Sequence, residues 1–153
     1  MDILILLSLL AFVLAFGLAK IKGAAVFVYI NTGTVGSPVW TKVGGQREAT
    51  FDRGSAVIDV TDKDSAGNEE HLPGDRNWGI SFGAFLIEDN AGWLAVEAAF
   101  DGSLQKQYQF RTVGFNYMGE ATVESLSMAG AKGDAGVTSF TLKGTGALTK
   151  TAV

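Results

Sequence analysis

An alternating apolar segment that follows a charged stretch is the feature that most constrains the fold of this chain. Residues 78–87 place Trp, Ile, Phe, Ala and Leu at every second position, with Gly79, Ser81 and Gly83 among the residues between them. Because successive side chains of a strand point to opposite faces, this pattern predicts a strand with one buried face. A second strand candidate, residues 56–61, precedes it. The two segments together indicate a β-rich fold.

The stretch between these two strands, residues 62–77, predicts a long polar loop. It carries seven of the chain's 28 ionised side chains: Asp62, Lys63, Asp64, Glu69, Glu70, Asp75 and Arg76. Few apolar residues are available to offset an ordering cost of about 1–2 kcal/mol per residue. Loops of this length in compact domains are usually functional or disordered. We therefore expect the loop to be mobile on its own and to serve contact rather than chemistry.

The rest of the chain predicts a mainly β domain with one helix. Six further strand candidates have β-branched, aromatic or alternating composition, at residues 25–30, 39–43, 48–51, 107–113, 121–128 and 137–143. Twenty glycines and two prolines suit a fold with many tight turns. We expect a β-sandwich or partly closed barrel with one flanking α-helix.

The helix is predicted immediately after the alternating strand. Asp89 or Asn90 can cap it, because a short acceptor side chain satisfies the first backbone N–H groups. Trp93, Val96 and Phe100 recur at helical spacing and are expected to form one buried stripe. Gly102 follows the helix, where a left-handed residue is often required.

Catalytic and metal chemistry find little support in the sequence. The chain has no cysteine, and its one histidine, His71, lies within the charged loop beside Glu69 and Glu70. Asp59, Asp62 and Asp64 lack the glycine and the distal glutamate of a calcium-binding loop. A net charge of −4 argues against a protein that grips nucleic acid by neutralising phosphates. We expect no enzyme activity, no cofactor and no metal.

Short motifs in one consistent order carry a family resemblance. The central ones are residues 59–65 (DVTDKDS), 72–74 (LPG) and 78–81 (WGIS). Others stand at residues 31–34, 36–40, 43–47, 89–92, 98–100 and 144–149. From about residue 19 to residue 149 the chain resembles the major tail, or tail tube, proteins of bacteriophages with long flexible, non-contractile tails. That family's strands lead into a long loop at the position of residues 62–77.

The resemblance implies a structural virion protein that self-assembles. Proteins of this family form hexameric rings that stack into a hollow tube, enclose the tape-measure protein and conduct DNA without binding it specifically. The expected partners are other copies of the chain, the tape-measure protein and the tail terminator protein. The expected location is the virion tail, assembled in the host cytoplasm. Residues 62–77 become the predicted contact loop between rings, ordered only against a neighbouring ring, and Trp40 becomes a candidate inter-subunit anchor.

The first residues do not fit the resemblance and allow a different function. Ile3–Ala19 is almost wholly apolar and would span about 25 Å as a helix. Residues 1–17 are interpreted as an apolar helical extension from a mis-assigned start, as a membrane anchor or as a secretion signal, with residues 18–153 as the tail tube domain. If residues 3–19 are a true anchor, the alternative function is a membrane-anchored β-sandwich binding module.

Overall fold

Seven antiparallel strands and one α-helix make up the computed structural model, which describes residues 20–153. The strands are β1 (Phe27–Asn31), β2 (Trp40–Lys42), β3 (Gln46–Asp59), β4 (His71–Phe85), β5 (Lys106–Arg111), β6 (Phe115–Ala129) and β7 (Val137–Ala152). The helix α1 spans Ala91–Asp101, and a short 3-10 turn spans Gly23–Ala25. The predictions for residues 1–17 and 3–19 lie outside the described residues.

All seven strands belong to one sheet, in the order β2-β1-β5-β6-β7-β4-β3. The sheet curls so far that Phe51 of β3 stacks on Phe110 of β5, with ring centroids 5.2 Å apart, although three strands lie between them in the sheet. The Gln46 side chain joins β3, at one end of the sheet, to β1, the second strand from the other end: its Nε2 donates to the Val28 carbonyl, and the Val28 N–H donates to its Oε1, each at 2.8 Å. The mainly β prediction is confirmed, in the form of a partly closed barrel.

The core fills the inside of this curl. It takes every second side chain of the central strands, as in Ile80 and Phe82 of β4 and Phe140 and Leu142 of β7. Phe82 stacks on Phe140 with ring centroids 4.9 Å apart. Burial of such side chains contributes roughly 25 cal/mol per Å² of apolar surface, which makes this inner face the main source of stability. The alternation predicted for residues 78–86 is therefore confirmed.

Helix α1 begins where the sequence predicts. The Asn90 side chain caps it, since its Oδ1 accepts from the Trp93 N–H at 2.9 Å. The same oxygen accepts from the Gly44 N–H at 3.0 Å, which ties the helix start to the β2–β3 turn. Trp93 and Val96 are buried, as predicted.

The end of the helix differs from the prediction in two ways. Phe100 is 40% exposed, and Ala99 takes the buried position instead, because the buried face follows residues 92, 93, 96 and 99. Gly102 has φ −83°, and the left-handed residue is Ser103, with φ 51°. The Ser103 N–H donates to the Phe100 carbonyl, and the Leu104 N–H donates to that of Ala99. These two bonds form a Schellman ending with serine in the usual glycine position.

Candidate assembly surface

A two-stranded ribbon projects from the sheet. β3 pairs with β4 as far as Asp59 opposite His71, whereas β4 pairs with β7 only between Gly79 and Phe85. Beyond Gly79, β3 and β4 therefore have only each other as described neighbours. We call residues 54–77 the arm, and we call residues 60–70, which connect its strands, the tip.

The predicted loop at residues 62–77 is shorter in the structure. Residues 71–77 belong to β4, so Asp75 and Arg76 are strand residues, while Asp62, Lys63, Asp64, Glu69 and Glu70 lie in the tip. The register shifts by one residue between the pairs Ser55–Arg76 and Val57–Pro73. Such a bulge at a sheet edge accommodates a Pro-Gly pair within a strand, which is why these residues mimic a loop in the sequence.

The tip is shaped by hydrogen bonds within itself. Asp59 Oδ1 accepts from the Thr61 N–H at 2.9 Å, and Asp62 Oδ1 accepts from the Asp64 N–H at 2.8 Å. The hydrogen bonds from Thr61 lower the pKa of the Asp59 carboxyl below its ordinary value. The prediction that this loop orders only against a neighbouring ring stays a prediction. Its own bonds nevertheless lower the entropy that ordering would cost.

The arm exposes apolar side chains that the body of a domain would bury. Val57 is 66% exposed and Leu72 is 53% exposed, and Ile58 and Val60 are exposed beside them. An isolated two-stranded hairpin is marginally stable in water, and contiguous exposed apolar residues usually mark an interaction surface. The arm is therefore a candidate docking element.

Trp78 closes the end of the core from which the arm begins. Its indole lies over Gly119 of β6 and Gly144 of β7, where a Cβ on either residue would collide with the ring. Its Nε1 donates to the Gly146 carbonyl at 3.3 Å. The burial of Trp78 was predicted from the sequence. The two glycines that make room for it were not, since nothing in their local sequence distinguishes them from turn glycines.

A cavity of about 590 Å³ lies just beyond Trp78, at the base of the arm. Three cations line it, Arg53 of β3, Arg76 of β4 and Lys150 of β7. Tyr117 of β6 lies between two of them, with the Arg53 guanidinium 5.5 Å and the Lys150 Nζ 5.6 Å from its ring centroid. We call this the basic cavity. No local pattern in the sequence indicates it, because its residues come from four strands and only Arg76 and Asn77 belong to the predicted loop.

Trp40, the other predicted contact residue, lies at the opposite end of the sheet. It is half-buried in β2, an edge strand of the described sheet, and pairs with Asn31. This position is compatible with an inter-subunit anchor, and that role stays a prediction. The structure does not bring Trp40 together with the tip.

The described part of the chain gives no indication of a metal centre or a membrane span. Residues 20–153 contain no group of three or more His, Asp or Glu side chains arranged to hold a metal ion. None of the helices in this range has the length and apolar character needed to cross a membrane. The Nε2 atom of His71 lies 3.3 Å from the Oε2 atom of Glu69 on the exposed surface of the arm.

The described chain is thus a curled antiparallel sheet with a flanking helix and a projecting arm. Residues 20–150 match the model of the phage tail tube protein family. The chain belongs to this family, so it is a structural component of a phage tail and not an enzyme. No curated protein matches it.

Solved structures with the same fold come from several tubular particles. One is the tail of an empty gene transfer agent particle with C6 symmetry, with a TM-score of 0.78 and 21% identity over 88% of this chain and all of that one. The tail tube of phage SPP1 has a TM-score of 0.70 and 16% identity, over 88% and 80% of the two chains. The sheath-tube complex of an extracellular contractile injection system has a TM-score of 0.62 and 14% identity, over 88% and 93%. At these identities the likeness concerns the fold.

Proposed function

We propose that this chain forms hexameric rings that stack into the tail tube, enclose the tape-measure protein and conduct DNA. The rings assemble in the host cytoplasm, and a tail terminator protein ends the stack. The C6 symmetry of the gene transfer agent tail supports a six-fold ring for a chain of the same fold.

The main support for the proposal is the projecting arm with its exposed apolar side chains. It extends from an otherwise compact domain and exposes Val57, Ile58 and Leu72 to solvent. Burying these side chains against another copy would recover apolar stabilisation that the isolated chain forgoes. A stack of rings needs a projecting element of this kind.

The edges of the sheet support the closure of a ring. Within residues 20–153, β2 and β3 are the edge strands. Edge strands present unpaired backbone groups that favour pairing with another chain. Trp40, in β2, would then pack at the joint between neighbouring subunits.

The charge balance supports passage of DNA without specific binding. A net charge of −4 is the opposite of what phosphate neutralisation requires. An acidic tube would repel the DNA backbone, and this would help the DNA to slide.

Electron microscopy of the purified protein tests the proposal. We expect the full chain, and residues 18–153 alone, to form rings or tubes in negative stain at high protein concentration. Two-dimensional class averages of rings should show six subunits. If both proteins remain monomeric under all conditions, including mixtures with the tape-measure and terminator proteins, the proposal is wrong. Rings with a subunit number other than six would contradict only the hexameric part of the proposal.

A further inference from the structure

We propose that the basic cavity is the receptor for the acidic arm tip of a second copy of this chain. The inference rests on the proposed stacking of rings and adds the two surfaces that would join them.

The cavity carries a concentrated positive charge that the described residues leave without carboxylate partners. Arg53, Arg76 and Lys150 line it, and no acidic side chain does so among residues 20–153. Among residues 20–153, no lysine or arginine lies within ion-pair distance of a carboxylate, and the one short contact of a basic side chain with a carboxylate is that of His71 with Glu69 in the arm. Like charges gathered at one concave site repel each other and favour an anionic occupant.

The geometry holds these cations on the inner face of the sheet. Arg53 pairs directly with Trp78 across β3 and β4, so the two side chains share the face that forms the core. Lys150 pairs with Tyr117, and its Nζ lies 3.8 Å from the Phe115 ring centroid. Contacts with aromatic rings restrict where these long side chains can point. The cations therefore lie in a partly fixed arrangement around the cavity.

The tip carries the complementary charge. Residues 60–70 contain four carboxylates and one lysine, namely Asp62, Asp64, Glu69, Glu70 and Lys63, and Asp59 directly precedes them. Asp59 and Asp62 hold the turn by accepting backbone N–H groups. Asp64 and Glu70 are exposed, and the described residues provide no cation within ion-pair distance of either. These two carboxylates are thus available to a partner.

The tip cannot reach the cavity of its own chain. Asp59 lies six residues beyond Arg53 along β3, which is about 20 Å at a strand rise of about 3.3 Å per residue. The extended ribbon points the tip away from the cavity. A contact between the two surfaces must therefore join different copies.

Such a contact has the symmetry that a tube requires. The tip and the cavity are different surfaces, so their pairing is head to tail and leaves a free tip and a free cavity at the two ends. An interface of this kind propagates, whereas an interface between identical surfaces closes after two copies. The basic cavity is therefore assigned to the tip of the next copy, in preference to DNA or the tape-measure protein.

A charge-swap experiment on the full chain tests this pairing. The cavity variant is Arg53→Glu with Lys150→Glu, and the tip variant is Asp64→Lys with Glu70→Lys. A third protein combines all four substitutions. The matched control for the cavity variant is Lys22→Glu with Lys132→Glu, which makes the same change in net charge at exposed positions that belong neither to the cavity lining nor to the tip.

Tube formation is measured by negative-stain microscopy and by the fraction of protein that pellets. We expect each double reversal to lower the pelleted fraction at least about tenfold, because like charges then face each other across the contact. Rings should persist. The protein with all four substitutions should recover most of the wild-type pelleted fraction, and the control should pellet as wild type does. Circular dichroism and urea melts check that each variant folds. If the cavity variant fails to fold, Arg53→Gln with Lys150→Gln takes its place, with a smaller loss expected.

Several outcomes would overturn the inference while leaving the proposed function intact. One is a cavity variant that forms as many tubes as wild type. Another is a protein with all four substitutions that pellets no more than either double variant. The third is a control whose pelleted fraction falls as far as that of the cavity variant. A cavity variant with normal tubes but weaker retention of a DNA duplex than wild type would point to nucleic acid as the occupant. By contrast, wild-type protein that forms neither rings nor tubes contradicts the proposed function itself.

Discussion

The same two strands, β3 and β4, serve the core at one end and solvent at the other. Between Trp78 and Ala84, β4 buries every second side chain, and Phe51 of β3 packs against the same core. In the arm, both faces of the ribbon are exposed, including Val57 and Leu72. The backbone pairing continues through both halves with a single bulge in the arm. The two halves differ in whether one face of the strands is covered by the core or both faces are exposed.

This contrast separates two uses of apolar side chains. In the body they stabilise the single chain, since burial there is completed by its own residues. In the arm much of their surface remains exposed and is available to a partner. Substitutions in the body should therefore change the free energy of unfolding, and substitutions in the arm should change assembly.

Trp78→Ala tests the body half with the largest expected effect. Trp78 is only 6% exposed and closes one end of the core, so its truncation should lower the free energy of unfolding by about 3–5 kcal/mol. Urea denaturation followed by circular dichroism measures this. Trp40→Ala is the matched control, with a smaller loss expected because Trp40 is half-buried at a sheet edge. A larger loss from Trp40→Ala would invert the comparison.

Helix α1 repeats the contrast on a smaller scale. Val96 is buried and Phe100 is 40% exposed. Val96→Ala should cost about 2 kcal/mol through lost burial and the cavity left behind. Phe100→Ala should cost less than the about 3–5 kcal/mol lost at a fully buried phenylalanine, because 40% of Phe100 is exposed. Thermal and urea melts measure both losses, and a loss at Phe100 as large as that of a fully buried phenylalanine would show that the buried face of the helix is assigned wrongly.

The arm variant Val57→Ser with Leu72→Ser should separate folding from assembly. Both side chains are exposed, so the free energy of unfolding should change by no more than about 0.5 kcal/mol. The pelleted fraction of tubes should fall. Thr145→Ala with Thr149→Ala, exposed on β7, serves as a control that should leave both quantities unchanged. Tubes of normal yield from the arm variant would show that these apolar residues have no partner.

The smallest effect concerns the titration of Asp59. Its folded pKa is lowered by the hydrogen bonds from Thr61. Because the ionised form is the one that is stabilised, the bonds contribute above the unfolded pKa and are lost as the pH falls through the folded pKa. An NMR titration of the Asp59 carboxyl should give a midpoint below 3.8. Thr61→Ala removes the hydroxyl and should move the midpoint upward. A midpoint at or above 3.8 in the wild type would mean that the tip is open in solution.

The body could be predicted from the sequence because one covered face leaves a readable pattern. The alternation in residues 78–86 follows directly from burial on one side, and Asn90 marks the helix start by its chemistry. The end of the helix could not be predicted from glycine alone, since Ser103 adopts the left-handed conformation that Gly102 was expected to take. There the backbone bonds to Ala99 and Phe100 outweigh the residue preference.

The second strand of the arm and its tip could be predicted only as a place of contact, not as a structure. With both faces exposed, residues 71–77 need no alternation, so their sequence lacks the usual sign of a strand, whereas residues 56–59 of β3 fall within the predicted strand at residues 56–61. Pro73 and Gly74 further disguise β4, because they are tolerated at a bulge of an edge ribbon. The basic cavity depends on register across four strands, and no local pattern brings Arg53 and Lys150 together.

The continuity of β4 through both halves has a mechanical consequence. A pull on the arm runs along an unbroken backbone into the body of the sheet, where β4 is bonded to β3 on one side and to β7 on the other. The force acts parallel to the strands, so the hydrogen bonds between Gly79 and Phe85 and their β7 partners share it at once instead of opening in succession. A tube linked through such arms would resist stretching through shear of its sheets, and bending would be taken up where the arms meet their neighbours.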